Sequence, residues 1–472
     1  MALVAMLTVV GLGTGLVSGF FANVAERGLY ATGLWSTGGA STVPPGTFDE
    51  PASTATAMPT SAADGLPAPV LRPETAARAP SPTRVAARLD AVDAGAMGGR
   101  FSAQVADLTT GKVLYSRRAA TPAIPASTTK LLTAAAALSR LGPDHVFRTE
   151  VVGSAPGRLV LVGGGDPYLS TRAPKRDETA RASLATLAAD TAAVLRRSGT
   201  SKVTLGYDAS LFSGPAWNPR WPDSYADQVT PISALWVDER RTAGVSPGPR
   251  VADPARDAAR VFARALEKRG LTVTRTARTR APASAATVAT VSSAPLEQVV
   301  ERLLLASDND ASEVLLRHVA LADGRPGSTA EGTRAIRRAL DRLGVWPDDA
   351  RLHDGSGLAR STRVPARALV DLLRLAAHPE HPELRGLLTG LPVAGVEGSL
   401  RLRYGDEQSR PGRGVVRGKT GTLTGVHALA GYLRTRDQNL VAYAFLVNDA
   451  TNDYEAQVWL DRVSTALSRC GC

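Results

Sequence analysis

Residues 125–141 read Pro-Ala-Ser-Thr-Thr-Lys-Leu-Leu-Thr-Ala-Ala-Ala-Ala-Leu-Ser-Arg-Leu. A proline just ahead of Ser127 and an Ala/Leu-rich run behind it predict a helix from Ser127 to about Leu141. Ser127 and Lys130 are three residues apart, so their side chains leave one face of that helix. A serine hydroxyl is a poor nucleophile until a base takes its proton. A lysine can be that base only if burial or a second cation lowers its pKa. The free N–H groups and positive dipole end at a helix N-terminus also suit a developing oxyanion. The composition sharpens the signal. Of 55 basic residues only six are lysines, at 112, 130, 175, 202, 268 and 419. Arginine does not deprotonate near neutral pH, so a site needing a titratable amine keeps lysine against that background.

Two further strings complete the pattern. Ser307-Asp308-Asn309 follows an apolar run at 299–305 and precedes a helical stretch at 311–319. The Ser307 hydroxyl could relay a proton to a leaving amine, and the Asn309 amide could hold a peptide bond in register. The same trio is also a common helix cap. Lys419-Thr420-Gly421-Thr422 continues a strand-like stretch from residue 414. Gly421 would let a ligand backbone come close, and an extended substrate could pair along such an edge. That pairing brings the Thr422 N–H near the oxyanion. Lys419 with the hydroxyls of Thr420 and Thr422 would bind a terminal carboxylate. Lys419 is also the candidate second cation beside Lys130. Each string alone is common. In this order, on a helix start, a loop–helix junction and a strand, they describe one acyl-transfer site.

The rest of the chain gives the frame. Residues 101–108 and 113–116 form a predicted hairpin. Stretches 427–435 and 440–447 read as strands, and 454–468 as an amphipathic terminal helix. Strands at both ends with helices between predict one antiparallel sheet flanked by helices, an α/β (α+β) class. The middle differs in texture. It has strand candidates at 158–163 and 203–207 and a Pro/Trp-rich loop at 215–222, and is expected to be an inserted accessory domain. The boundaries expected are 1–26 for an anchor or signal segment, 27–84 for a linker, 85–150 and 290–472 for the catalytic domain, and 151–289 for the insertion.

Residues 2–25 carry no charge and are long enough to span a bilayer as a helix. Residues 33–84 are rich in Ser, Thr, Pro, Ala and Gly and read as a disordered spacer. These predict a chain held at the cell membrane with its catalytic domain outside the cytoplasm, or secreted if the segment is cleaved. The net charge of +11 is read as solvated arginine, since no zinc-finger spacing and no basic run interleaved with aromatics supports nucleic acid. The only cysteines, Cys470 and Cys472, are expected to be a frayed tail, poorly placed to bridge each other. The six histidines are scattered without a helical H-E-x-x-H, so no metal or other cofactor is expected.

The three strings resemble those of the penicillin-recognising serine acyltransferases, and more closely the D-alanyl-D-alanine carboxypeptidase/endopeptidase family of class C, low-molecular-mass penicillin-binding proteins. Val162-Gly163-Gly164-Gly165-Asp166-Pro167, Asp354-Gly355-Ser356-Gly357-Leu358 and Leu391-Pro392-Val393-Ala394-Gly395 with Gly398-Ser399-Leu400 are similar to further strings of that family. The resemblance covers residues 85–468. It implies Ser127 as acylated nucleophile, Lys130 as base, Ser307 and Asn309 as the second motif, and Lys419, Thr420, Gly421 and Thr422 as the substrate-binding strand. It also implies the amides of Ser127 and Thr422 as oxyanion hole, and structural roles for Asp166, Asp354 and Ser356. The implied activity is a serine-type D-Ala-D-Ala carboxypeptidase, with endopeptidase action left open beside it, on peptidoglycan stem peptides, with β-lactam antibiotics as inhibitors. The 177 residues from Lys130 to Ser307 leave room for an insertion, although fewer than in members with two inserted domains. The competing readings are a serine β-lactamase, disfavoured by the lack of an E-x-x-L-N string, and an inactive wall-binding protein, disfavoured by the intact motifs.

Overall fold

The computed structural model describes residues 79–174, 181–241 and 247–472. The apolar segment expected to be an anchor, and the spacer up to residue 78, lie outside the described residues. Among the described residues no helix is long and apolar enough to cross a membrane.

In chain order the strands of the two five-stranded sheets are β1 (Arg100–Asp107), β2 (Val113–Arg117), β3 (Arg148–Ala155), β4 (Arg158–Val162), β5 (Lys202–Asp208), β6 (Thr272–Arg278), β7 (Ala286–Ser292), β8 (Arg417–Leu423), β9 (Val426–Arg434) and β10 (Leu440–Asn448). One sheet runs β8-β9-β10-β1-β2 and is antiparallel throughout. Both ends of the folded chain therefore build it, as the sequence predicts. Strand β10 lies in the middle and explains why both sheet faces must be covered. Ala442, Ala444 and Leu446 face one side, while Val441, Tyr443, Phe445 and Val447 face the other, and all are buried.

The small residues on the first face let the helix Ala366–Ala377 lie close, and on that helix in turn rests the helix Thr129–Leu141. Its Leu131, Leu132 and Leu138 and the alanines 134–137 are all buried. A helix apolar on every side belongs inside a core. It packs there with the helices Leu296–Ala306, Asn309–Ala322, Thr329–Arg342 and Ala366–Ala377. The opposite face is covered by the terminal helix Asp453–Ser468 through Trp459, Leu460, Val463 and Leu467.

The tail beyond that helix is not frayed, which corrects the reading of the cysteines. Cys470 and Cys472 are both buried, with Cα atoms 5.1 Å apart. Ser81 N donates to Cys472 O at 2.6 Å. The helix Pro82–Asp90 packs at the same place through Val85 and Leu89, so the chain end is held by tertiary packing that local sequence does not reveal.

A second sheet, β6-β5-β4-β3-β7, lies between the first helix and the second motif in sequence. Its β3–β4 and β3–β7 pairs are antiparallel, and its β4–β5 and β5–β6 pairs parallel. Two amphipathic helices, Leu184–Arg197 and Pro254–Glu267, bury Leu184, Leu187, Leu195, Phe262 and Leu266 against Val151, Leu159, Leu161, Val203 and Leu205. The loops of this sheet, at 217–241, reach back to the first sheet's motifs.

Candidate active site

Ser127 sits on a 3-10 turn, Ala126–Thr128, immediately before the buried helix. Ala126 has φ 46, a left-handed conformation that a non-glycine residue adopts only when its surroundings impose it. Two glycines make room for this turn. A Cβ on Gly357 would lie 1.9 Å from Ala126 O, and one on Gly421 would lie 2.7 Å from Pro125 O. The close approach that calls for glycine at 421 is thus to the turn beneath Ser127, whereas the sequence suggested a ligand backbone.

Lys130 is fully buried. Its Nζ lies 2.8 Å from Ser127 Oγ, 2.7 Å from Asn309 Oδ1 and 2.8 Å from Ser356 O. Burial pulls its pKa down to about 8, against the pull of Asp354, Asp308, Glu313 and Asp310 in the other direction. Lys419 is equally buried, and its Nζ donates to Ser307 Oγ and Thr420 O, each at 2.7 Å. Burial first, and Lys130 second, push Lys419 well below its ordinary value. Burial, more than a second cation, is therefore the main cause at Lys130.

The second motif does two jobs at once. Ser307 ends the helix Leu296–Ala306 in the left-handed region, with φ 56. Asp308 then caps the helix Asn309–Ala322, its Oδ1 accepting from Ala311 N at 3.1 Å. The capping use of the trio falls on Asp308, while Ser307 and Asn309 turn toward the lysines. Asn309 Nδ2 donates to Gln228 O at 3.0 Å, which fixes the amide so that its oxygen faces Lys130.

Strand β8 lies at the edge of its sheet, with Lys419 and Gly421 buried and Thr422 exposed. Thr420 Oγ1 donates to Ser399 Oγ at 2.8 Å. A cleft of about 560 Å³ opens beside it, lined by Ser127, Ser307, Asn309, Thr420 and Thr422 together with Tyr225 and Arg241 from the second sheet's loops. Ser127, Ser307, Asn309, Thr420 and Thr422 converge here, with Lys130 and Lys419 behind the walls.

Other residues beside the three motifs contribute. Ser356 supplies its carbonyl to Lys130, a contact independent of its side chain. Glu313 Oε1 accepts from the N–H groups of Gly355 and Ser356, at 2.9 and 2.8 Å, and so aims that carbonyl. Asp354 anchors the same loop. Its oxygens accept from Gly357 N at 3.0 Å, Ala359 N at 2.6 Å and Trp221 Nε1 at 2.9 Å. This is the structural part that resemblance implies for it. Asp166, in the glycine-rich string, accepts from Tyr168 N at 2.8 Å outside the cleft. Gln228, Glu239 and Arg241 enter from a loop whose sequence carries no motif.

An antiparallel sheet with this serine–lysine turn at its edge strand is the architecture of the penicillin-recognising serine hydrolases. The D-Ala-D-Ala carboxypeptidase 3 (S13) family matches residues 85–247 and 239–467, and the chain belongs to that family. It is a serine-type D-Ala-D-Ala carboxypeptidase. A carboxypeptidase of Mycobacterium tuberculosis is 37% identical over 424 residues, covering 86% of this chain and 90% of that protein. The D-alanyl-D-alanine carboxypeptidase of an Actinomadura species is 30% identical over 410 residues, covering 70% and 74%. Penicillin binding protein 4 of Haemophilus influenzae has the same fold. Its TM-score is 0.67 at 22% identity, covering 82% of this chain and 99% of that one.

Proposed function

We propose that Ser127 is the residue acylated by a peptidoglycan stem peptide and that Lys130 is its base. The observation that carries this is the 2.8 Å contact between Lys130 Nζ and Ser127 Oγ in a water-excluded setting that lowers the lysine's pKa. The substrate's penultimate D-Ala carbonyl lies over Ser127, with its backbone along the open edge of β8. Ser127 Oγ attacks the carbonyl carbon as Lys130 takes the proton. The N–H groups of Ser127 and Thr422 receive the oxyanion. The terminal carboxylate pairs with the hydroxyls of Thr420 and Thr422, with the Lys419 amine behind them. The proton then passes through Ser307 to the leaving D-Ala amine, and the C–N bond breaks. Water, activated by the same lysine, hydrolyses the ester and frees Ser127. The acyl step is identical when the leaving amine belongs to a neighbouring stem peptide, so opening of cross-links is included in the proposal.

We further infer that the uncharged segment 2–25 takes the catalytic domain out of the cytoplasm and holds it at the membrane. One experiment addresses both parts. Cells expressing the full chain are fractionated, and each fraction is incubated with monomeric and cross-linked muropeptides whose products are weighed. The expected result is release of D-Ala and of monomers by the membrane fraction. Activity confined to the cytosol would refute the location, and failure to release D-Ala would refute the substrate.

A further inference from the structure

Three carboxylates meet behind the second motif. Glu239, Asp308 and Asp310 are all buried, and each brings an oxygen within 4.8 Å of the other two. The Arg241 guanidinium stands among them. Its Nη2 is 2.6 Å from Glu239 Oε2, 2.9 Å from Asp308 Oδ2 and 3.6 Å from Asp310 Oδ2. Arg250 Nη2 is 3.4 Å from Asp310 Oδ2. Within the cluster two guanidinium groups face three buried carboxylates, and an unmatched negative charge on buried groups is a costly arrangement. A guanidinium already touches all three groups, so the missing cation is a proton rather than a metal ion.

One oxygen marks where that proton sits. Glu239 Oε1 is buried and, among the described residues, has no hydrogen-bond donor in reach. The Asp308 carboxyl is its acidic neighbour, with an oxygen of each group within 4.8 Å of the other. Two oxygens that can only accept repel each other, whereas a proton on one of them makes a strong, charge-assisted bond.

We propose that Glu239 is a positioning residue of the acyl-transfer site, standing as the neutral acid and donating its proton to Asp308, so that the turn carrying Ser307 and Asn309 is fixed. Asp308 then has three donors: Ala311 N, Arg241 and Glu239. Burial, then Asp308 and Asp310, push the Glu239 carboxyl well up against the pull of Arg241. Burial also pushes at Asp308, but the bond from Glu239, with Arg241, holds it low. Tyr168 and Lys130 are the other titratable groups that feel this cluster. A second effect rests on the proposed role of Lys130 as base. Asp308 and Asp310 already raise the lysine's pKa, and an ionised Glu239 would raise it further and deplete the free amine.

The test compares Glu239→Gln and Glu239→Ala in the full-length protein. Glutamine keeps a neutral donor toward Asp308, so kcat on a D-Ala-D-Ala peptide and its pH profile should match wild type. Alanine removes the donor and should lower kcat by up to about 100-fold, the scale of a misplaced catalytic group, with KM little changed. The infrared difference between wild type and Glu239→Gln at neutral pH should contain a protonated-carboxyl stretch. That subtraction isolates Glu239 from Asp166 and Glu313, whose carboxyls burial also pushes up. A Glu239→Gln enzyme with a displaced pH profile, or a difference spectrum without the band, would overturn the proposal, even if the alanine variant failed to fold. The band does not depend on which residue activates Ser127, so failure of this inference and failure of the base assignment are told apart.

Discussion

Lys130→Arg will lower the acylation rate by about 1,000-fold, the middle of the range for losing a general base. The substitution keeps the positive charge and much of the length, so loss of charge is not the cause. Arginine stays protonated at every pH the protein tolerates and cannot accept the Ser127 proton. Its planar fork is also a poor match for three acceptors around one nitrogen, namely Ser127 Oγ, Asn309 Oδ1 and Ser356 O. As the proposed base, Lys130 is competent only as the neutral amine. With a pKa of about 8, its neutral fraction grows as the pH rises, so the rate climbs through that region and falls off below it. Stopped-flow acylation by a chromogenic cephalosporin across neutral and alkaline pH measures both points. The Lys130→Arg enzyme should show a low rate with no limb in the region where the wild-type lysine titrates. A limb that survives in that variant would assign the titration to another group.

The second large effect is on stability. Asp354→Ala will cost about 4 kcal/mol, because it strands buried donors that each cost roughly 1–3 kcal/mol when unpaired. Those donors are Gly357 N, Ala359 N and Trp221 Nε1, two from the loop itself and one from the second sheet's loop. Against a typical total of roughly 5–15 kcal/mol, such a loss is a large share. The same loop carries the Ser356 carbonyl onto Lys130, so activity falls in the molecules that stay folded. Urea unfolding should show a lower midpoint at an unchanged slope. Asp354→Asn keeps one acceptor oxygen, enough for Ala359 N and Trp221 Nε1, but sets its amide nitrogen against Gly357 N, so it should cost less stability than alanine but more than nothing. It also removes a charge that holds the Lys130 pKa up, so the rate limb should move to lower pH. A stability within about 0.5 kcal/mol of wild type, the range of ordinary surface substitutions, would contradict the anchoring role of Asp354.

What the sequence revealed follows from how local each signal is. The serine–lysine pair is set by one helical turn, and Lys419–Thr422 by one strand, so spacing alone predicts which side chains share a face. Boundaries slipped where tertiary contacts decide them. The third-motif strand begins at Arg417 rather than residue 414, because Gly414 N is bonded to Ala394 O and residues 410–412 form a 3-10 turn. The predicted start of the first helix is a separate 3-10 turn, since Gly357 and Gly421 leave room for the backbone at Ala126 to turn. Glu239 and Arg241 were illegible. They lie in an ordinary-looking Asp-Glu-Arg-Arg run, and their partners Asp308 and Asp310 are far along the chain, joined only by the way the second sheet folds back. The cysteine tail was misjudged for the same reason, as its burial depends on the helix Pro82–Asp90 at the opposite end of the folded chain.

The central claim is that Ser127, activated in this pocket, takes the acyl group. Intact-protein mass spectrometry after incubation with benzylpenicillin, followed by peptide mapping, tests it most directly. One adduct per chain is expected, on the peptide containing Ser127, and none on Ser127→Ala. An adduct on another residue, or an undiminished adduct on Ser127→Ala, would contradict it.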